Sequence, residues 1–189
     1  MLKRRTFLQS GLLTFYVPSG NWLSAAISDP LMISTRIITA TGCTDTRVFT
    51  SALPILSDTV DLYRGENLYE LAATLEHNQC ATLAGLTRHS EFILISQIAT
   101  ESGYTLIYTG THHYRVSTLD HHLEGNVKLV NKFADSIASG EVSWPREFAC
   151  YIPEIILSGG SVIHKDVQQP IARPPDSPGY LVSWAFRRD

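Results

Sequence analysis

The sequence predicts an α/β or α+β fold, a small mixed sheet packed with about three helices in a single domain. Three observations predict it. Hydrophobic residues make up 44% of the 189 positions and charged residues 17%, enough for a core and too few charges for a disordered chain. Period-two and period-3.6 apolar patterns follow one another along the chain. A helix, a glycine and a strand succeed each other directly at Ser90–Tyr108, a unit typical of helices packed on a sheet. The length suits one domain, there is no internal repeat, and no apolar run reaches the roughly 18 residues of a membrane span.

Each element has its local reason. Leu31–Ala40 is rich in β-branched residues and reads as a strand, followed by a turn over Thr41–Thr46. Asn67–Glu76 reads as a helix: Asn67 caps it, Glu70 stands three positions on, and Leu68, Leu71, Ala72 and Leu75 share a face. Ser90–Ser102 is a second helix, capped by Ser90 and stopped by Gly103; Phe92, Ile95 and Ala99 share one face, and Leu94 and Ile98 widen it. Tyr104–Tyr108 is then a strand. A third helix covers Asn126–Ser139, between the cap Asn126 and the stop Gly140. Glu147–Leu157 is ambiguous because Pro153 interrupts it, and Ser161–His164 is short enough to be only a brief strand. Gln168–Gly179, with four prolines, reads as an extended connection. The last strand is the clearest: Tyr180, Val182, Trp184 and Phe186 alternate with smaller residues and present one large apolar face to the helices.

The first 26 residues have the three parts of an export signal: a basic start at Lys3, Arg4 and Arg5, a short apolar stretch from Ser10 to Val17, and the small residues Ser24-Ala25-Ala26. Arg4-Arg5-Thr6-Phe7-Leu8 resembles the twin-arginine (Tat) motif of two arginines, any residue, Phe and Leu. Lys3 and Gln9 depart from the residues usual on either side of that core. The resemblance is confined to this segment. It implies that Arg4, Arg5, Phe7 and Leu8 are the export motif, that the Tat translocase is a transient partner, and that residues 27–189 fold inside the cell before delivery to the periplasm. Cleavage after Ala26 would remove three basic and no acidic side chains, turning the formal net charge from −3 to −6. That sign disfavours nucleic acid and anionic lipid as partners. The three cysteines, Cys43, Cys80 and Cys150, allow one disulfide in an oxidising compartment and form no CxxC pair.

The chemistry-bearing residues concentrate in Thr111-His112-His113-Tyr114 and Asp120-His121-His122 with Glu124, read as the connection between a strand and a helix. A connection folding back on itself would bring His112, His113, Asp120, His121 and His122 toward one Zn or Cu ion. Neighbouring histidines on a strand point to opposite faces, so at most one of each pair would ligate. Weaker features are the turn Ser158-Gly159-Gly160-Ser161 with His164 nearby, the helix start Thr87-Arg88-His89-Ser90-Glu91, and the charged segment holding Asp58, Asp61, Arg64 and Glu66. With no nucleophile motif present, the expected function is a Tat-exported periplasmic binding or accessory protein. The alternative is a periplasmic metal-dependent enzyme using the histidine-rich segment 111–124.

Overall fold

A computed structural model describes residues 35–40, 42–53, 58–62, 71–73, 75 and 80–188. For residues 58–62 it describes the backbone alone. β1 (Thr35–Ala40) is the described part of the first expected strand. Where the sequence suggested only a turn, helix α1 (Thr44–Ala52) begins immediately after Cys43. Its threonines and aspartate have weak helical propensity, and burial of Phe49 in the core outweighs it. α1 leads to β2 (Asp58–Leu62), which pairs parallel to β1. Of the expected helix at Asn67–Glu76, residues 71–73 and 75 are described and helical, with Leu71 and Leu75 fully buried.

β3 (Thr82–Thr87) pairs parallel to β1 on its other side and is buried along its whole length. At Gly85 an added Cβ would fall 2.2 Å from the Ile38 carbonyl and 2.6 Å from the Trp184 ring, so only glycine fits. α2 (His89–Glu101) follows, one residue earlier than expected. Arg88, not Ser90, takes the N-cap position, and Glu91 accepts the Arg88 N–H at 2.8 Å. Gly103, at φ +83°, ends it as expected.

The expected strand at Tyr104–Tyr108 continues far past Tyr108 as β4 (Tyr104–Tyr114), and a tight turn at Arg115–Thr118 returns the chain as β5 (Leu119–Asn126). The segment read as a loop is thus an antiparallel hairpin. Within β4 the register against the last strand shifts between Leu106 and Tyr108, the mark of a bulge. Before the bulge Tyr104 joins the core under α2. After it Tyr108 and Tyr114 join the core on the opposite face.

α3 (Val127–Ala138) starts where expected, with the Asn126 side chain accepting from the Lys128 and Leu129 N–H groups. α4 (Trp144–Leu157) resolves the ambiguous segment as helix and holds Pro153 inside it. Phe148, Ile152, Ile155 and Ile156 recur at helical spacing and are buried; that packing carries the helix past the missing N–H of Pro153. Lys132 joins α3 to Glu154 of α4 at 2.9 Å. β6 (Val162–Gln169) is twice the expected length, and residues 170–179 lead without regular structure to β7 (Tyr180–Arg188).

The seven strands form one mixed sheet in the order β2-β1-β3-β7-β4-β5-β6, so the sheet is larger than expected and the fold class is α+β. The last strand enters its centre, between β3 and β4. Val182, Trp184 and Phe186 pack beneath α2, while Leu181 and Ala185 face the other core with α1, α3 and α4. Helices therefore cover both faces around the centre. Among the described helices, none packs on the α2 side of β5 and β6. No helix among the described residues is long and apolar enough to cross a membrane.

Candidate functional site

The β4–β5 register sets the site. His112 lies opposite His121, His113 opposite Asp120, and Thr111 opposite His122. Because side chains alternate across a strand, His112 and His121 point inward while His113, Asp120 and His122 point outward. The pairwise splitting expected from the sequence therefore holds. The convergence of all five residues on one ion does not occur, because the sheet stands between the two sets. Among the described residues no group of three or more His, Cys, Asp or Glu is placed to hold a metal ion.

The inward pair forms a buried polar chain. His112 and His121 are 0% and 1% exposed, and their Nδ1 atoms lie 2.7 Å apart. His112 Nε2 is 2.7 Å from Ser183 Oγ, and the Tyr108 hydroxyl approaches the same oxygen at 3.4 Å. At the far end Gln169 donates through Nε2 to the Val142 carbonyl at 3.2 Å, which turns its carboxamide oxygen to His121. His121 Nε2 and Gln169 Oε1 are the atoms left without a closed hydrogen bond. The Nδ1–Nδ1 contact holds one proton, so one neutral ring donates there and the other accepts and carries its own proton on Nε2. The Ser183 hydroxyl also reaches the Gly110 carbonyl at 3.3 Å, to which it donates. Gly110 makes the room: a Cβ there would meet Ser183 Oγ and Tyr108 Oη, each at 2.7 Å.

Burial holds both imidazoles neutral. Desolvation drives His112 well below the usual 6.5, with the neighbouring His121 adding to it. Desolvation brings His121 down to about 4, against the opposing pull of Gln169 and Asp120. Trp144, at the start of α4, stacks on His112 at 3.8 Å between centroids and meets His121 edge-on at 5.8 Å. Its indole N–H donates to the Tyr114 hydroxyl at 3.2 Å, and Tyr114 donates to Asp45 Oδ1 at 2.9 Å. Desolvation raises the Asp45 carboxyl above its ordinary range despite that bond. Every side chain of this interior network is buried, and it is built as core.

The outward set faces a groove of about 590 Å³. Thr111, His113, Arg115, Asp120, His122, Asp166, Gln168 and Tyr180 line it, and the strands at His121 and Val167 form its floor. Arg115 Nε and Gln168 Nε2 each donate to Asp120 at 2.8 Å, through different carboxylate oxygens. These two bonds hold the Asp120 carboxyl below its usual range. His122 Nδ1 bonds Asp166. The rings of His113 and His89 meet Tyr180 at 5.7 and 5.4 Å. Just beyond, His164 faces Glu124 at 3.7 Å and stacks near His122 at 5.9 Å.

Of the remaining sequence candidates, His89 and His164 reach the rim of the groove and the others lie apart from it. In the Ser158–Ser161 turn, the Ser158, Gly159 and Ser161 carbonyls accept from Arg187, Asn126 and Val127, and His164 lies on β6 against Glu124. Thr87 accepts from the Trp184 indole at 2.9 Å. Asp58 and Asp61 lie on β2; Arg64, Glu66 and the export motif Arg4, Arg5, Phe7 and Leu8 lie outside the described residues. All three cysteines are free: Cys43 and Cys80 are buried and Cys150 is exposed.

Sequence reasoning missed Ser183, Gln169, Tyr108 and Trp144 inside, and Arg115, Asp166, Gln168 and Tyr180 outside. Ser183 left a signal, as a hydroxyl on the otherwise apolar alternation of β7. The others depended on register that sequence alone does not supply. Compared with known proteins, the chain matches no family model, no curated protein and no solved structure.

Proposed function

We propose that the chain is a Tat-exported periplasmic binding protein whose ligand occupies the groove on the outward face of β4, β5 and β6. The observation that carries this reading is the groove itself. Its volume of about 590 Å³ is in the range of small-molecule sites, and it gathers imidazole, guanidinium, carboxylate, amide and phenol groups on rigid strands. Ordinary strand surface holds such groups apart or in water. Here they are cross-linked to one another, which fixes their orientation before a ligand arrives. The sequence Arg4-Arg5-Thr6-Phe7-Leu8 supplies the route.

The test expresses the full chain with a C-terminal tag and fractionates the cells. A processed product in the periplasm, lost in the Arg4→Lys/Arg5→Lys variant, supports export. Cytoplasmic retention of the parent, or export indifferent to the substitution, overturns it. Native mass spectrometry of the exported protein tests the groove. A small-molecule adduct that disappears in Arg115→Ala supports binding. A bare polypeptide mass, or an adduct unchanged in that variant, overturns it.

A further inference from the structure

We propose that the groove takes a neutral oligosaccharide, with Tyr180 as platform for a pyranose ring and Arg115, Asp166 and Gln168 as fixed partners of its hydroxyls. This names the ligand class of the site in the reading above and rests on that reading.

Charge comes first. The two carboxylates of the groove are each engaged, Asp120 by Arg115 and Gln168, Asp166 by His122. The groove thus has no unpaired cation to draw an anion and no free carboxylate pair to draw a cation. A ligand gains there through hydrogen bonds. After their internal bonds, the Arg115 Nη groups, Gln168 Oε1, Asp166 Oδ2 and His122 Nε2 have no protein partner among the described residues. Donors and acceptors are interspersed, which suits hydroxyls, since each hydroxyl both donates and accepts. A pyranose also has an apolar C–H face, and Tyr180 is a half-buried ring held in place by the imidazoles of His113 and His89.

Two other classes fit less well. A peptide docks on a sheet by adding a strand at an edge, or by placing apolar side chains in pockets. This groove lies on a sheet face where β5 is already paired on both sides, and Tyr180 is the one large apolar surface lining it. Nucleic acid would need unpaired basic groups on this face, and Arg115 is already paired.

The test is a titration of the isotope-labelled full chain, read by histidine ring resonances. The probes are cellobiose, maltose and N,N′-diacetylchitobiose, with trialanine as the peptide comparison. A saturating response of His113 and His122 to at least one disaccharide, with His112 and His121 unmoved, is expected. Tyr180→Ala should then weaken binding by about tenfold. The exposed Gln168→Ala, which leaves the core untouched, should weaken it several-fold. Silence toward all three disaccharides, a response to trialanine alone, or full affinity in both variants overturns the proposal. If the sugars are silent while exported protein still carries an adduct lost in Arg115→Ala, the ligand class falls and the binding function stands.

Discussion

The two sides of the β4–β5 hairpin hold the same residue types under opposite physical conditions. Inside, His112 and His121 are fully buried and share one hydrogen bond; His112 stacks on Trp144 and His121 meets it edge-on. Outside, one position along each strand, His122 has a side chain 52% exposed against an Asp166 that is 83% exposed. An imidazole in the core contributes shape and a neutral hydrogen-bond relay, and losing it strands its partners. An imidazole in the groove contributes a reachable nitrogen, and losing it leaves water in its place. Histidine clustering in the sequence therefore marks two separate things, a polar core and a surface site.

The sharpest way to break this comparison is to truncate adjacent residues. His112→Ala opens a cavity under Trp144 and leaves Ser183 and His121 without their partner. We expect a loss of about 3–5 kcal/mol in urea denaturation. His113→Ala should stay within about 0.5 kcal/mol. Equal losses would refute the division. Histidine nitrogen spectra sharpen it further: one inner ring should be the Nδ1–H tautomer and the other the Nε2–H tautomer.

Acid should act on the inner pair next. Both folded-state values lie below the ordinary 6.5, His121 at about 4, so the unfolded chain binds more protons across that window. Stability is then full above pH 6.5 and falls as pH drops toward 4, by on the order of 3 kcal/mol from His121 alone. A proton added at the accepting Nδ1 would set two donors face to face across the 2.7 Å contact. Asp45, whose carboxyl is raised, works in the opposite sense and regains stability as it protonates at the acid end. Denaturation midpoints measured across this range check the slope, which should flatten in a His112→Phe/His121→Leu variant.

Gly110→Ala is expected to cost about 1–3 kcal/mol, because the new methyl pushes into Ser183 and Tyr108. The smallest effect belongs outside. Asp166→Asn breaks an exposed contact and should change stability by less than about 0.5 kcal/mol. A larger loss in thermal unfolding would mean that the groove is also part of what holds the fold together.

Some of this was legible in the sequence and some was not, for physical reasons. β7 was readable because large and small residues alternate from Tyr180 to Phe186. α3 was readable because Asn126 and Gly140 mark its ends by side-chain and backbone chemistry. The hairpin was not, because its inward positions hold Gly110, His112 and His121, which no hydrophobic pattern marks as core. Its turn, Arg115-Val116-Ser117-Thr118, also lacks the glycine or asparagine that announces a reversal. β3, with Thr82 and Thr87 at its ends and Gly85 inside, is too short and plain to stand out, although all of it is buried. The groove is the least legible part, because it joins β4, the turn at Arg115, β5, β6 and the start of β7.

The bulge between Leu106 and Tyr108 acts as a phase shift in the chain's two-residue rhythm. Tyr104 and Tyr108 are both even-numbered, yet they serve opposite cores. Were Ile107 paired in regular alternation, His113 would occupy the interior and His112 would go to water. Few partners of the two are interchangeable, so such a chain would lose its native packing instead of exchanging two histidines. One extra backbone residue upstream thus decides which imidazoles are structure and which are surface, and deleting it would keep the Leu106–Phe186 and Tyr108–Ala185 pairs and with them the inward place of His112.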